Sequence, residues 1–156
     1  MIRSATAFLL LATFAGSTFA AGKGDVAPPL EGKTWVSADG AAPQLEGKVY
    51  VVDFYFAACG PCNAAVPHLR EIAAKYSSKD VCVVALSLDN EKSVRAFKKK
   101  HGIEEYALLS DGKASARSWG VSSFPTAFIV GKDGKIAWRG HPIDDEFEPA
   151  LKKALN

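Results

Sequence analysis

The chain has 156 residues, 48% hydrophobic and 23% charged, with a formal net charge of +2 at pH 7. That length suits one domain with a real core, and nothing in the near-neutral charge points to a nucleic-acid or other polyanionic partner. No internal repeat or low-complexity stretch is visible.

The N-terminus has one basic residue, Arg3, then an apolar stretch over residues 5–15 and the ending Gly16-Ser17-Thr18-Phe19-Ala20. This is the pattern of a secretory signal peptide, with cleavage expected after about Ala20. A membrane span needs roughly twenty apolar residues, so a permanent anchor is the weaker reading. No Cys stands near the cut, which argues against lipid attachment there. The expectation is a soluble chain exported to the periplasm, with residues 1–20 removed. Losing Arg3 leaves basic and acidic residues balanced to within one charge.

Residues 21–47 read as a lead-in with a short hairpin. The Gly/Pro-rich stretch 21–32 is irregular, and Thr34-Trp35-Val36, the turn Ala38-Asp39-Gly40 and Gln44-Leu45 suggest two paired strands. Residues 49–56 are a continuous β-branched and aromatic run, a central strand covered on both faces. From Cys59 to about Tyr76 the apolar positions Val66, Leu69, Ile72, Ala73 and Tyr76 follow helical spacing, with Pro67 expected to kink the helix.

Residues 81–88 form a second buried strand. Asp89-Asn90 then caps a helix to about Lys100, and Lys98-Lys99-Lys100-His101 complements the dipole at its end. Residues 106–109 suggest a short strand, 114–119 a short helix and 126–130 a third buried strand. The turn Lys132-Asp133-Gly134-Lys135 leads to Ile136-Ala137-Trp138-Arg139 as a hairpin, and Phe147, Leu151 and Ala154 mark a closing helix with Pro149 near its first turn. Strands alternating with helices predict an α/β sandwich with a mixed sheet.

The chemistry concentrates in Cys59-Gly60-Pro61-Cys62, at the end of the first buried strand. A helix starting there places free N–H groups and the positive end of its dipole beside Cys59, favouring thiolate. Pro61 fits the first turn, and Cys62 lies one turn deeper on the same face, within reach of a small disulfide ring. This predicts an exposed nucleophile and a resolving thiol, the parts of thiol–disulfide exchange. Half of a zinc site is the alternative, but two further ligands at matching spacing are missing, and the only other cysteine, Cys82, stands alone in an apolar run.

Val52-Asp53-Phe54 followed by Cys59-Gly60-Pro61-Cys62, with Pro67 beyond and Phe124-Pro125-Thr126 opening the third strand, resembles thioredoxin. The exported context, the N-terminal hairpin and Lys132-Asp133-Gly134-Lys135-Ile136 resemble the TlpA/ResA-like branch of periplasmic thiol–disulfide oxidoreductases. The likeness covers roughly residues 25–155 and implies a thioredoxin fold over 48–156. It implies an enzyme exchanging a Cys59–Cys62 disulfide with cysteines of protein substrates, in the reducing direction because Gly-Pro separates the cysteines. No cofactor or metal is implied. The implied partners are protein substrates and a membrane electron donor, the chain itself being a monomer.

Three departures from the family pattern stand out. Ala58 replaces the Trp that usually precedes the first cysteine, so an aromatic wall is missing. Asp53 replaces the Asn common in the TlpA/ResA-like branch, and Ala65 replaces a Glu three residues after the second cysteine. The acidic group has moved to the strand, as in ordinary thioredoxin. Asp53 in an apolar strand has its pKa raised by desolvation and can deprotonate Cys62 when a mixed disulfide resolves, whereas a strand-edge Asp bonded to backbone would be structural only.

A cis bond at Pro125 would bend its loop toward the active site, and Phe124 would offer backbone groups to an extended substrate segment beside Gly60 and Pro61. Other candidates are bland. Cys82 reads as an inert core thiol, His68 as packing and His141 as a loop residue. Trp35, Trp119 and Trp138 read as core or hairpin cover, Trp119 with a second reading as a substrate contact.

Two rival functions share the fold. A thiol peroxidase of peroxiredoxin type uses Pro-x-x-x-Thr-x-x-Cys, and Phe56 stands here three residues before Cys59. A copper-delivery chaperone uses C-x-x-x-C with a distant His, one residue more than this spacing.

Overall fold

The computed structural model describes residues 20–79 and 81–156; residues 1–19 of the expected signal peptide lie outside them. Six strands form one sheet: β1 (Trp35–Val36), β2 (Val49–Tyr55), β3 (Val81–Ser87), β4 (Ala107–Leu109), β5 (Thr126–Val130) and β6 (Ile136–Gly140). Their order is β1-β4-β3-β2-β5-β6. β2, β3 and β4 run parallel, while β1, β5 and β6 join antiparallel. The helices are α1 (Gly60–Tyr76), α2 (Glu91–His101), α3 (Lys113–Ser118) and α4 (Phe147–Leu155).

Alternation along the strands sorts side chains onto two faces. Val49, Val51 and Tyr55 of β2 join Val83, Ala85, Ala127 and Ile129 on one face, under apolar residues of α1, α2 and α4. Val52 and Phe54 join Val84, Leu86, Phe128 and Val130 on the other, under Ala116 and Trp119. The α1 stripe Val66, Leu69, Ile72, Ala73 and Tyr76 is buried as the helical spacing predicts, and the helix continues through Pro67. Asn90 alone caps α2, its side chain accepting the Ser93 N–H at 3.1 Å, and Gly102 ends that helix in the left-handed region at φ 59°.

The expected N-terminal hairpin is corrected. β1 pairs antiparallel with β4, Trp35 opposite Leu109 and Val36 opposite Leu108, and residues 44 and 45 form no strand. The local turn residues are present, but a two-residue strand gains more from completing an edge of the large sheet than from a second short strand.

Residues 20–36 form a strap across the second face. Gly24 N–H donates to Ile136 O at 2.8 Å and Ala27 N–H to Gly134 O at 2.9 Å, beside β6. The strap then passes over Trp119, whose Nε1 donates to Pro29 O at 3.4 Å, and reaches Ser110, whose carbonyl accepts the Lys33 N–H at 2.9 Å. Gly32 is required by close approach: a Cβ there would lie 2.5 Å from Ser110 O and from Leu109 Cγ.

Trp119 is fully buried between the strap and the sheet, its ring centroid 5.7 Å from Phe54 and 4.8 Å from Phe128. Trp119→Ala should therefore cost about 3–5 kcal/mol of stability in urea unfolding. A loss under about 1 kcal/mol would mean that the strap does not seal a packed core.

Candidate active site

Cys59 is the N-cap of α1. Its backbone is extended (φ −76°, ψ 109°), and its Sγ accepts the Cys62 N–H at 3.1 Å. Its own N–H donates to Phe56 O, and its carbonyl accepts the Asn63 N–H, each at 3.0 Å. The two sulfurs are bonded at 2.06 Å. No acidic side chain in the first helical turn competes with a thiolate for the positive end of the dipole. The position of Cys59 thus favours negative charge on its sulfur once the pair is reduced.

The sequence led to the expectation of an exposed Cys59 and a buried Cys62; the structure has them 5% and 2% exposed. Phe56 and Phe124 pack against the core cluster that contains both cysteines. Their rings meet edge to face at 5.5 Å, joining the loop before Cys59 to the loop before β5. An aromatic surface therefore exists despite Ala58, built from two residues distant in sequence. Gly60 and Pro61 remain exposed beside it.

The Phe124–Pro125 peptide is cis, Pro125 is buried and Phe124 half-buried. Thr126 Oγ1 donates to Ser123 O at 2.7 Å and closes this loop at the start of β5.

Asp53 sits inside β2, 3% exposed, between Val51 and Tyr55 on the face covered by α1. Its neighbours across the sheet are the small side chains of Ala85 on β3 and Ala127 on β5. Its Oδ1 has no hydrogen-bond partner among the described residues. Burial pushes the carboxyl well above its usual range, which differs from a strand-edge Asp bonded to backbone.

The remaining candidates lie apart from this cluster. Trp119 is core and cannot touch a substrate. The His68 ring packs 5.6 Å from Phe147 of α4, and the His141 N–H donates to Asp144 Oδ2 at 2.9 Å in the loop before α4. Burial raises the Cys82 thiol, which makes it a poor nucleophile.

Three residues around Cys59 escaped the sequence reading. Phe56 reads as the end of the buried run and as a mismatch to the peroxidase motif, and its partner lies 68 positions away. Asn63 carried no motif. Asp89 reads as a helix cap, yet its carboxylate accepts the Ala57 N–H at 2.6 Å. Only a strand followed three residues later by Cys59 could have hinted that this loop needs outside support.

A bonded Cys-x-x-Cys capping the first long helix of such a sheet, facing a cis-proline loop, is built for thiol–disulfide exchange, and the chain is a thioredoxin-fold thiol–disulfide oxidoreductase. The chain belongs to the AhpC/TSA family, whose model matches residues 23–139, and it is TlpA/ResA-like. It is 30% identical over 131 residues to thiol-disulfide oxidoreductase ResA of Bacillus thuringiensis (strain Al Hakam), covering 82% of this chain and 73% of that one. A Chlorobium tepidum structure provisionally named thiol:disulfide interchange protein DsbE matches with a TM-score of 0.75 and 26% identity, over 87% of this chain and 99% of that chain. The thioredoxin domain of a Bacteroides vulgatus thiol-disulfide oxidoreductase matches with a TM-score of 0.68 and 25% identity, over 86% and 98% of the two chains. No helix among the described residues is long and apolar enough to cross a membrane.

Proposed function

We propose that this protein is an exported, periplasmic reductase of protein disulfides, with Cys59 as nucleophile, Cys62 as resolving thiol and Asp53 as the base for the resolving step. The observation that carries this reading is the Cys59–Cys62 disulfide at the N-terminus of α1, with Asp53 buried on the strand face that α1 covers. Export rests on the N-terminal sequence pattern.

In the reduced enzyme, the Cys59 thiolate attacks one sulfur of a substrate disulfide. A mixed disulfide forms and the other substrate sulfur leaves as thiolate, taking a proton from solvent. Asp53 then accepts the Cys62 proton, and the Cys62 thiolate attacks the Cys59 sulfur. The second substrate thiolate leaves, and the Cys59–Cys62 disulfide re-forms. The substrate gains two electrons and the enzyme loses two. A dithiol donor, for which a membrane protein is the natural source across the inner membrane, returns the electrons by the reverse exchange. The enzyme works as a monomer in this scheme.

A substrate segment passes along Phe124, with Gly60 and Pro61 on its other side. Phe124→Ala removes one ring of the pair with Phe56, a contact of about 0.5–1.5 kcal/mol. It should raise KM for a protein substrate by more than it lowers the rate with a small aromatic disulfide. Equal losses with both substrates would assign the ring to active-site support and not to binding.

The test of the proposal is a trap. Cys62→Ser strands the mixed disulfide on Cys59, and periplasmic proteins captured by this variant should be released by dithiothreitol. No capture through Cys59, with rapid turnover of hydrogen peroxide instead, would favour the peroxidase reading. Phe56 stands against that reading, because it occupies the position of that motif's Thr with its ring against Phe124.

A further inference from the structure

Helix α2 grips the active-site loop from both of its ends. At its start, Asp89 accepts the Ala57 N–H at 2.6 Å, and the fully buried Ser87 donates its hydroxyl to the same Oδ2 at 3.1 Å. The Asp89 carbonyl accepts the Asp111 N–H at 2.8 Å, which fixes its backbone as well. At its end, His101 Nε2 lies 2.8 Å and Lys100 Nζ 3.2 Å from Asn63 Oδ1. The other end of that amide, Asn63 Nδ2, donates to Ala57 O at 3.0 Å and to Cys59 O at 2.6 Å.

The Asn63 amide is saturated. Its two N–H bonds each meet a carbonyl, and both acceptor directions of Oδ1 face donors. Because Nδ2 is committed to the carbonyls, His101 must donate from Nε2, and the Phe97 ring packed 4.4 Å away supports its imidazole. The outcome is unusual for a loop: both polar groups of Ala57 are held by side chains, two residues before Cys59. Asn63 also doubles the helical bond on the Cys59 carbonyl, which sets how the first turn of α1 presents the Cys62 N–H to the Cys59 sulfur.

We propose that Asn63 and Asp89 are positioning residues for the exchange reaction: by clamping Ala57 and the Cys59 carbonyl they hold the Cys59 sulfur on the Cys62 N–H and so stabilise its thiolate. Neither residue touches the reacting sulfurs in this role. The inference rests on Cys59 being the attacking thiol. Charge alone predicts the opposite sign for Asp89, because an anion near the loop disfavours a thiolate and its removal would lower the Cys59 pKa. Positioning and charge are thereby separable in one variant.

The test is the pH dependence of Cys59 alkylation in the reduced protein, with hydrogen exchange of the Ala57 amide measured alongside. Asn63→Ala and Asp89→Ala should each raise the apparent Cys59 pKa and slow alkylation at pH 7 several-fold. Asp89→Asn, whose amide oxygen can accept the same N–H, should alkylate at the wild-type rate or faster. The double Ala variant should lose less than the two single losses combined, since both act on the backbone of one residue, Ala57. In the unmodified protein the Ala57 amide should exchange slowly, and Asp89→Ala should release it. Unchanged alkylation in folded Ala variants, faster alkylation in Asp89→Ala, or an unprotected Ala57 amide in the wild-type protein would each overturn the proposal; the last needs no variant to fold. If instead Cys59→Ser kept its activity, the exchange reading would fail while Ala57 protection stayed intact, so the two failures are distinguishable.

Discussion

Cys59→Ser should reduce insulin disulfide reduction to background, while Cys82→Ser leaves it near wild type. The asymmetry follows from position. A hydroxyl at the α1 N-cap can still accept the Cys62 N–H, so the helix start survives in the variant, but it cannot form a disulfide with substrate. Cys82 lies in β3 on the other face of the sheet from Asp53, with a thiol that burial makes hard to ionise. Turnover measured beside thermal unfolding separates the two effects. A folded Cys59→Ser protein that still reduced insulin would transfer the chemistry elsewhere in the chain.

Asp53→Asn should slow release of a trapped mixed disulfide, on the order of 10²-fold for loss of a general base. It should leave the first attack by Cys59 nearly unchanged. The same substitution should stabilise the fold, with a definite pH signature. Burial raises the folded-state pKa of Asp53 above its unfolded value, so the neutral acid suits the fold and the carboxylate does not. In acid, below the unfolded value of about 4, Asp and Asn should be nearly equivalent. As pH rises past that value the wild-type protein loses stability that the Asn variant keeps, until pH passes the folded pKa and the gap levels off. Urea unfolding at several pH values would read the gap. A gap that shrank with rising pH would mean that the folded protein stabilises the carboxylate, and would remove Asp53 as the base.

The parts of this structure legible in the sequence are those governed by local pattern. The run at residues 49–56 becomes the central strand over Val49–Tyr55, with Phe56 just beyond its end, and the Lys132-Asp133-Gly134-Lys135 turn joins β5 to β6. Cys59 and Cys62 are bonded as their spacing predicts, and Asp53 lies on the strand face that α1 covers. What was not legible depends on partners far along the chain. β1 has too few residues to carry a pairing preference, so its choice of β4 over residues 44 and 45 is made by the whole sheet. The strap over Trp119 has no periodicity, because apart from one turn between Gly22 and Asp25 its hydrogen bonds go to Gly134, Ile136, Ser115 and Ser110. The Phe56–Phe124 pair and the Asn63 and Asp89 contacts to Ala57 fail to announce themselves for the same reason. Each looks like an ordinary loop or helix residue until folding brings its partner in.

The central claim is the division of labour between the two cysteines, and the most direct measurement is the rate at which each thiol of the reduced protein is alkylated as pH is varied. Cys59, at the helix N-terminus with its sulfur on a backbone N–H, should react far faster at neutral pH and show an apparent pKa well below the usual thiol value of about 8.5. Cys62, one turn deeper in apolar packing, should react slowly and titrate above it. Equal rates for the two thiols, or faster labelling of Cys62, would contradict the account.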